Sequence, residues 1–355
     1  MARVLFACGA SPEYIRNRTI IRALQRSHTT RVIASTAPRY PLRLASIFPR
    51  LATTRDSFDA YLAGFLGQPL VPVLRMRGLS PVILDAFVSI YDTLCFDRRA
   101  FSPRSHVGRA SRWLDMLALR RASLVLTDTA AAADFMAREF GVRRSKFVAV
   151  PVGADESLFY PRPHPNGAGI DVLYVCTYLP LHGVPVVIEA ANLLRDREGI
   201  QLTIVGKGPE RPRAERLARH HGLTNCRFVD WLPFEHLPER TAACHIYLGG
   251  HFSGGNAKAR RVVPGKVYQG LAMARPVIIG DSAASAEWFV DGESVRAVPM
   301  GDPRALADAV LELAGSPRLR DRIGQGGRAL YEEKFSEGAI AARLDECISA
   351  VTGVA

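Results

Sequence analysis

The sequence has no apolar run that approaches the ~20 residues needed for a membrane-spanning helix. Its opening stretch, MARVLFACGA, joins a cation to an apolar run, but the polar and charged residues SPEYIRNR follow at once. This order favours a first β-strand over a secretory signal peptide. We therefore expect a cytoplasmic protein, with any membrane contact peripheral and at the inner face.

Paired cysteines are also absent. The six cysteines are scattered, without a CxxC pair or the spacing of a zinc site. Several lie inside apolar strand-like runs, where a reduced cysteine behaves as a small hydrophobic side chain. We expect a reducing compartment and no metal, and no Ser-His-Asp constellation is present. An apolar content of 48% with 23% charged residues is typical of a globular chain, which sets disorder aside.

Negative charge is scarce in the first half of the chain. Residues 1–165 hold 24 Lys and Arg against 12 Asp and Glu, so the whole formal net charge of +12 lies there. A basic face attracts nucleic acid, acidic lipid headgroups or phosphorylated substrates, although a merely solvated arginine-rich surface fits equally well. No base-stacking aromatics or nucleic-acid module accompany these cations. We therefore expect no nucleic acid, and favour an anionic membrane surface or a lipid-linked substrate.

Length and periodicity predict two α/β domains. A chain of 355 residues exceeds one ordinary core. Short β-rich runs alternate with helical patterns in both halves, which predicts two doubly wound parallel sheets. The runs predicted as strands are RVLFAC, TRVIAS, PVILDAFV, SLVLTDT and KFVAVPVG, then DVLYVCTY, IQLTIVGKG, CRFVDWL, CHIYLGG and RPVIIGDS.

The segment GADESLFYPRPHPNGAG, residues 153–169, is rich in Pro and Gly and has no periodicity, which indicates a linker. We place one Rossmann-like domain at residues 1–160 and a second at 161–355, with a cleft between them. The last helical segment, EGAIAARLDECISAV, is assigned provisionally to the second domain, although it could cross back and pack on the first.

Loops that follow strands carry the candidate site, because ligands of open parallel sheets bind beyond the carboxyl ends of the strands. The strongest signal is GGHFSGGNAKARRVVPGKV, a glycine-rich loop with Lys258, Arg260, Arg261 and Lys266 that enters a helix at Gly265. Helix N-terminal N–H groups attract anions, and nearby Lys or Arg adds charge-assisted bonds. We therefore predict diphosphate binding here in preference to a solvated charge run.

Several residues in neighbouring loops are weaker candidates for the same ligand. A loop histidine is more often solvated, and a bare GxG is better explained as a strand-to-helix turn, but their positions after strands favour binding. An amide one helical turn after Lys266 could bond ribose hydroxyls or merely fill a groove. These candidates are Thr177, His182 and Gly183 in CTYLPLHGV, Gly206 in IVGKGPE, Gln269 in VYQGLA, and Glu287 in ASAEW.

The first half offers residues for a second substrate. The loop CGASPEYIRNRT follows the first strand and supplies Ser11, Tyr14 and Arg16. LDAFVSIYDT follows another strand and places Asp85 and Asp92 near the same edge. Asp85 could orient a hydroxyl or act as a base, although an Asp at a strand end often just caps a turn.

With these residues in place, residues 171–340 resemble the donor-binding domain of a retaining GT-B glycosyltransferase of the family 4 style, the glycosyl transferases group 1. YVCTYLPLHGV, LTIVGKGPE and VDWLPFEHLPE carry part of the likeness. The most specific part is VVPGKVYQGLAMARPVIIGDSAASAEWFVDGESVRAVPMGDPRALADAVLEL. The first half is similar to the family more weakly, in DAFVSIYDT, LTDT and VPVGAD.

The resemblance implies an α/β protein of GT-B fold and a bacterial-like, metal-independent hexosyl- or other glycosyltransferase (EC 2.4) of polysaccharide or glycolipid biosynthesis, without a cofactor. The second domain would hold a nucleoside-diphosphate sugar, and the first a glycan or lipid-linked acceptor whose hydroxyl receives the sugar with retention. Lys258, Arg261 and Lys266 would hold the diphosphate, and Lys266, Arg261 and Asp85 would be the catalytic residues.

The sequence departs from the family at four positions. Tyr178 and His182 stand where the family has Arg and Lys, and Arg261 and Gln269 stand where it often has glutamates. Two alternatives therefore stay open. One is a catalytically degenerate GT-B scaffold that binds partners, and the other is a GT-B sugar-nucleotide epimerase.

Overall fold

The structure is a computed structural model that describes residues 1–78, 80–163 and 169–353. The chain folds into two compact units, one formed by Met1–Gly153 with the residues from Phe335 on, and the other by Ala154–Lys334. Each unit is built on one six-stranded sheet. Within the described ranges, no helix is long and apolar enough to cross a membrane.

The first sheet is parallel throughout. Its strands are β1 (Arg3–Cys8), β2 (Thr29–Ile33), β3 (Ala60–Gly64), β4 (Val82–Asp85), β5 (Leu124–Thr127) and β6 (Phe147–Ala149). They lie in the order β2-β1-β3-β4-β5-β6. β3 and β4 are buried along their whole length, as expected for short apolar strands covered by helices on both faces.

Helices connect the strands of the first unit. They are α1 (Ile15–Ser27), α2 (Tyr40–Thr53), α3 (Leu70–Arg75), α4 (Ile90–Asp92), α5 (His106–Arg121) and α6 (Ala130–Phe140), and a π-helical turn, Thr93–Asp97, follows α4. Side-chain oxygens fix several helix starts, since Ser105 Oγ accepts from the Gly108 N–H and Thr129 Oγ1 from the Ala132 N–H.

The second sheet is also parallel. Its strands are β7 (Ile170–Val175), β8 (Ile200–Val205), β9 (Cys226–Val229), β10 (Ile246–Leu248), β11 (Val277–Asp281) and β12 (Arg296–Pro299). They lie in the order β12-β11-β10-β7-β8-β9. The chain therefore adds β8 and β9 on one side of β7. It then crosses to the other side of β7 and adds β10, β11 and β12 there.

The helices of the second unit are α7 (Val184–Leu193), α8 (Arg211–His220), α9 (Leu237–Ala242), α10 (Gly265–Ala272), α11 (Ala283–Ala286), α12 (Pro303–Gly315) and α13 (Pro317–Leu330). α12 begins where Asp302 accepts from two backbone N–H groups, and α7 and α12 pack together over the sheet. The prediction of two Rossmann-like doubly wound units is confirmed.

Each sheet has one strand that the sequence pattern did not predict. β3 is five residues of mixed small and large apolar character, AYLAG, and ends in a glycine. β12 is four residues, RAVP, at the edge of its sheet. Short strands with glycine, proline or charge give weak periodicity, so tertiary pairing decides them.

The last helix, α14 (Glu337–Thr352), belongs to the first unit and not to the second, where it was provisionally assigned. Its apolar residues recur every four positions and join the core beneath β1 and α1, with Ile340, Leu344 and Ile348 buried. Arg22 of α1 donates to Glu337 at 2.9 Å. The apolar face of α1 is thus covered by a segment from the other end of the chain.

The unit boundary falls after Gly153, seven residues before the predicted one. The start of the predicted linker is ordered in the second unit, because Phe159 is fully buried and its ring centroid lies 5.5 Å from that of Phe234. Residues 164–168 of the predicted linker lie outside the described residues.

Candidate anion site in the second unit

Two loops meet at the carboxyl ends of the central strands of the second sheet. β7 and β10 are paired neighbours, with Tyr247 opposite Leu173, although β8 and β9 separate them in sequence. At such a reversal of strand order, the connections leave in opposite directions and a crevice forms between them. We call the two connections the β7 loop (residues 176–183) and the β10 loop (residues 249–264).

Backbone contacts hold the β7 loop against the β10 loop. The carbonyl of His182 accepts from the Phe252 N–H at 3.2 Å and from the Tyr174 hydroxyl at 2.7 Å. Gly183 has φ +66°, and a Cβ atom there would lie 2.3 Å from the Ser253 nitrogen. Only glycine meets both conditions without strain. Gly183 therefore fixes the approach of the two loops and also stands at the N-terminus of α7.

Lys266 is buried at this edge, in the first turn of α10, with an exposed fraction of 9%. Its Nζ donates to the Val175 carbonyl at 3.1 Å and lies 3.9 Å from the centroid of the Tyr174 ring. Burial lowers the pKa of Lys266 to about 7, while the Cys176 thiol acts in the opposite direction. Near neutral pH, the protonation of Lys266 therefore depends on the charge of the group that enters the site.

Two histidines lie beside Lys266. The rings of His182 and His251 are stacked, with centroids 5.5 Å apart and planes inclined by 25°. Burial first, and then the positive charge of Lys266, holds the pKa of each imidazole well below its usual value. His251 Nδ1 is buried without a hydrogen-bond partner among the described residues. Both rings are therefore neutral near pH 7, and each offers a hydrogen-bonding nitrogen.

The three basic groups form what we call the basic cluster, Lys266, His182 and His251. Burying a cationic group is unfavourable unless an opposite charge accompanies it. An entering dianionic diphosphate would supply that charge, which would return the pKa of Lys266 toward its ordinary value. The geometry is therefore suited to an anion and not to a cation. No group of three or more His, Cys, Asp or Glu that could hold a metal ion occurs in the described part of the chain.

The cations of the β10 loop differ in their surroundings. The positive charge of Lys258 also lowers the pKa of His251, which indicates that Lys258 lies near the basic cluster. Asn256 Oδ1 accepts from the backbone N–H of Lys258 at 3.0 Å and shapes the turn. Arg261 is half-buried, whereas Arg260 is exposed and donates to the Gly254 carbonyl. The contact of Arg261 with a diphosphate stays a prediction.

The other predicted donor residues surround this edge unevenly. Gln269 is buried on α10, one turn after Lys266, which leaves its predicted ribose contact open. Thr177 is exposed on the β7 loop. Glu287 is exposed immediately after α11, whose Ala284 N–H donates to the Arg260 carbonyl.

Gly206 and Tyr178 have structural roles in this arrangement. A Cβ on Gly206 would lie 1.9 Å from the Cys176 carbonyl oxygen, so glycine lets the connection after β8 pack on the β7 loop. Tyr178 is fully buried in the core of the unit and cannot replace an exposed cation. The predicted donor contact of Gly206 has no support beyond its position.

In the first unit, Asp85 and Arg16 pair with each other. Both side chains are fully buried, and Arg16 Nη2 donates to Asp85 Oδ1 at 2.8 Å. Arg16 Nη1 also donates to the carbonyls of Val150 and Pro151. The buried carboxylate and guanidinium join α1, the end of β4 and the segment that follows β6. The structure therefore gives no support to Asp85 as a base. It also gives none to Arg16 as an acceptor contact.

Among the remaining predicted acceptor residues, Tyr14 belongs to an aromatic row that the sequence pattern did not predict. Tyr14 has an exposed fraction of 42%, and its ring centroid is 4.6 Å from that of Phe65. Phe65 in turn lies 5.3 Å from Phe87. Ser11 is half-buried in the same loop, whereas Asp92 is buried in α4. Phe87 lies at the end of a predicted strand run, which is the signal that could have identified it, whereas Phe65 follows β3, which the sequence pattern did not predict.

His251 and Tyr174 were also missed. His251 stands in GGHFSGG immediately after β10, so its position was visible in the sequence. Tyr174 is inside β7 and reads as an ordinary core residue. Only the pairing of β7 with β10 places its ring against Lys266.

Two units, each built on a parallel sheet flanked by helices, are the architecture of the GT-B class of glycosyltransferases. Residues 169–316, which contain the basic cluster, match the model of the family described as Glycosyl transferases group 1. That segment is therefore similar to this family.

Curated relatives agree with the family. The chain is 26% identical to an alpha-D-kanosaminyltransferase of Streptomyces kanamyceticus over 308 residues, which is 81% of this chain and 72% of that protein. It is 28% identical over 213 residues to a GDP-mannose-dependent alpha-(1-6)-phosphatidylinositol monomannoside mannosyltransferase of Mycolicibacterium smegmatis, which is 56% of this chain and 55% of that protein. The chain thus matches little more than half of the second relative.

Solved structures share the fold. A sucrose-phosphate synthase of Thermosynechococcus elongatus superposes with a TM-score of 0.76 at 15% identity, over 100% of both chains. HepE of Anabaena, in complex with UDP, superposes with a TM-score of 0.73 at 14% identity, over 98% of this chain and 100% of that one. At these identities the likeness shows the fold alone.

Proposed function

We propose that this protein transfers a sugar from a nucleoside-diphosphate sugar to a hydroxyl of a glycan or lipid-linked acceptor, with retention of the anomeric configuration. The basic cluster carries the proposal. It is a buried site of Lys266, His182 and His251 with an unpartnered histidine nitrogen, and it lies where parallel sheets bind their ligands.

The basic cluster fits the chemistry of sugar transfer. The bond between the anomeric carbon and the diphosphate oxygen breaks, a bond to the acceptor oxygen forms, and the proton of the acceptor hydroxyl leaves with the departing diphosphate. Negative charge grows on the departing diphosphate, so a protonated Lys266 and nearby N–H groups stabilise the transition state more than the ground state. Lys258 and Arg261 would add charge at the β10 loop. Because Asp85 is ion-paired and buried, the proposal assigns it no role as a base.

The names of similar proteins support a nucleotide-sugar donor. One relative is GDP-mannose-dependent and acts on a phosphatidylinositol monomannoside, and HepE has been seen with UDP and with UDP-glucose. These names span two bases and several sugars. The proposal therefore names a nucleoside-diphosphate sugar without choosing the base, and a glycan or glycolipid acceptor without choosing its identity.

The test is release of nucleoside diphosphate from UDP-glucose and GDP-mannose, and from a wider panel of donors, with glycolipid and glycan acceptors. Lys266→Gln should lower the rate by on the order of 10²-fold, as expected for the loss of one charge-stabilising group. Lys207→Gln is the matched control, because Lys207 is exposed on the neighbouring connection after β8. Full activity of Lys266→Gln would remove the phosphate assignment. We also propose that chelation with EDTA leaves the rate unchanged.

The same assay separates the two alternatives. A scaffold protein would bind nucleotide without releasing nucleoside diphosphate from any donor tested. An epimerase would change the sugar of the donor and leave the acceptor unmodified, which NMR of the reaction mixture distinguishes. An acceptor product whose anomeric configuration is opposite to that of the donor would contradict retention alone.

A further inference from the structure

Three aromatic rings lie side by side at the carboxyl edge of the first sheet. Tyr14, Phe65 and Phe87 stand in the connections after β1, β3 and β4, which are neighbours in that sheet. The ring centroid of Phe65 lies 4.6 Å from that of Tyr14 and 5.3 Å from that of Phe87. Tyr14 is exposed and the two phenylalanines are half-buried. We call these three residues the aromatic row, and it lies where open parallel sheets bind ligands.

Asn17 joins the connection after β1 to the connection after β3. Its side chain is fully buried, its Nδ2 donates to the Ser11 carbonyl at 2.8 Å, and its Oδ1 accepts from the Phe65 N–H at 3.0 Å. The Ala10 N–H donates to the Phe65 carbonyl at 2.9 Å. Both backbone polar groups of Phe65 are therefore hydrogen-bonded to α1 and to the connection that carries Tyr14.

The connection after β4 is fixed in the same way. Gln68 is buried, and its Nε2 donates to the Val88 carbonyl at 2.9 Å. The guanidinium of Arg16 lies 5.6 Å from the centroid of the Phe87 ring. Since tertiary contacts hold all three connections, the aromatic row is formed before a ligand arrives, which lowers the entropy lost on binding.

The backbone beside Phe65 is strained. Leu66 has φ +58°, a left-handed conformation that is unfavourable for leucine. Its carbonyl oxygen accepts from the Tyr40 hydroxyl at 2.9 Å, and a Cβ on Gly9 would lie 2.2 Å from the same oxygen. Strained residues that tertiary contacts hold in place are concentrated at ligand sites, so this turn is a second indication of binding.

Polar groups beside the aromatic row disfavour an acyl chain as its ligand. Burial raises the pKa of Tyr14, the charge of Arg16 opposes this rise, and the carboxylates of Asp85 and Asp128 add to it. The Tyr14 hydroxyl is therefore close to charged groups, and it makes no hydrogen bond to another described residue. Covering this hydroxyl with a hydrocarbon chain would remove its water without replacing the hydrogen bond.

The ring orientations disfavour a flat ligand. The planes of Tyr14 and Phe65 are inclined by 35°, and those of Phe65 and Phe87 by 76°. A planar nucleobase stacks on one such ring and leaves the next edge-on. The C–H groups of a puckered pyranose carry partial positive charge, point in several directions and meet the negative faces of the rings, while its hydroxyls can bond to Tyr14.

We propose that the aromatic row binds a pyranose ring of the acceptor. The proposal rests on the proposed sugar transfer and makes its acceptor a saccharide, or a glycolipid recognised through its sugar. Tyr14, Phe65 and Phe87 are then binding residues that select a sugar by its C–H faces.

The experiment is saturation-transfer difference NMR of the full-length protein with methyl α-D-mannopyranoside, methyl α-D-glucopyranoside and methyl α-D-galactopyranoside. At least one glycoside should bind, with saturation strongest at its ring C–H protons. Tyr14→Leu and Phe65→Leu keep an apolar side chain and remove the ring face, so each should weaken binding about fivefold. The matched control is Trp113→Leu, which removes an exposed ring from α5 and should bind like the wild type.

Octanol and uridine are the competing probes in the same experiment. Octanol bound equally by the wild type and both leucine variants, with no glycoside bound, would overturn the proposal in favour of an acyl chain. Uridine binding lost in both variants, with no glycoside bound, would overturn it in favour of a base. An equal loss of glycoside binding in Trp113→Leu would also overturn it. Tyr14→Leu changes an exposed side chain, and its thermal unfolding should match the wild type, so this variant decides the test even if Phe65→Leu fails to fold.

A kinetic measurement connects the aromatic row with the acceptor. In the transfer assay Tyr14→Leu should raise the KM for a saccharide acceptor about fivefold, because stacking that is equal in the ground state and the transition state acts on KM. An unchanged KM would overturn the acceptor role. The NMR experiment contains no sugar donor, so a failure there contradicts the aromatic row alone, whereas a failure to release nucleoside diphosphate contradicts the proposed sugar transfer.

Discussion

Lys266 should lower the stability of the free protein while it supports donor binding. Its ammonium group is buried with a carbonyl and an aromatic ring as neighbours. Lys266→Met keeps the length and apolar character of the side chain and removes the ionisable group. We therefore expect Lys266→Met to be more stable than the wild type in the absence of ligand, and to bind nucleotide sugars more weakly.

The magnitude follows from the pKa of Lys266. Burial lowers it from 10.5 to about 7. Between these values the unfolded chain binds the proton and the folded chain does not, so wild-type stability rises as the pH increases through this range. At ~1.4 kcal/mol per pKa unit, the lowered pKa of Lys266 reduces the free energy of unfolding by about 4 kcal/mol at pH 7 and by about 2 kcal/mol at pH 9. The hydrogen bond from Lys266 Nζ to the Val175 carbonyl offsets ~1 kcal/mol of this loss of stability.

The assay is urea unfolding of both proteins at pH 6, 7, 8 and 9, with far-UV circular dichroism. Lys266→Met should be about 3 kcal/mol more stable at pH 7, and its advantage should shrink by about 2 kcal/mol by pH 9. A difference in the free energy of unfolding that does not change with pH would refute the destabilising role of Lys266, as would a variant less stable than the wild type. Isothermal titration with UDP-glucose and GDP-mannose measures the accompanying loss of affinity.

Three further outcomes follow from the same contacts. Wild-type affinity for a bound nucleotide sugar should fall about tenfold per pH unit above 7, whereas Lys266→Arg, which stays charged, should show no such fall by calorimetry. Asp85→Asn should lower the free energy of unfolding by about 3 kcal/mol in urea titrations, because Arg16 stays buried without its counter-charge. Gly183→Ala should reduce thermal stability and donor affinity more than Gly222→Ala, which shares a positive φ but has open space at its Cβ.

Much of the fold was predictable because the signals are local. Ten of the twelve strands in the described residues follow from short apolar runs between helical patterns, and the alternation itself favours parallel sheets. The two that were missed, β3 and β12, are short and carry glycine, proline or charge. The β10 loop was also visible, since its glycines and its cations lie within one short stretch.

The candidate site was predictable only in part. Lys266 and His182 were identified because each follows a strand or opens a helix, where parallel sheets bind ligands. Tyr174 could not be identified, because an aromatic residue in a buried strand has the same pattern whether or not a lysine lies against it. The pairing of Asp85 with Arg16, 69 residues away, could not be identified either, because nothing in the sequence reveals it.

The sequence by itself determined the class of fold, the place of the candidate anion site and the excess of arginine in the first half, because periodicity, turn residues and composition are properties of neighbouring residues. Tertiary structure decided the rest. It brought β7 beside β10 and so assembled the basic cluster, placed α14 on the first unit, and buried Asp85 against Arg16. These contacts join residues far apart in the chain, and their free energy depends on burial and charge that exist only once the chain has folded.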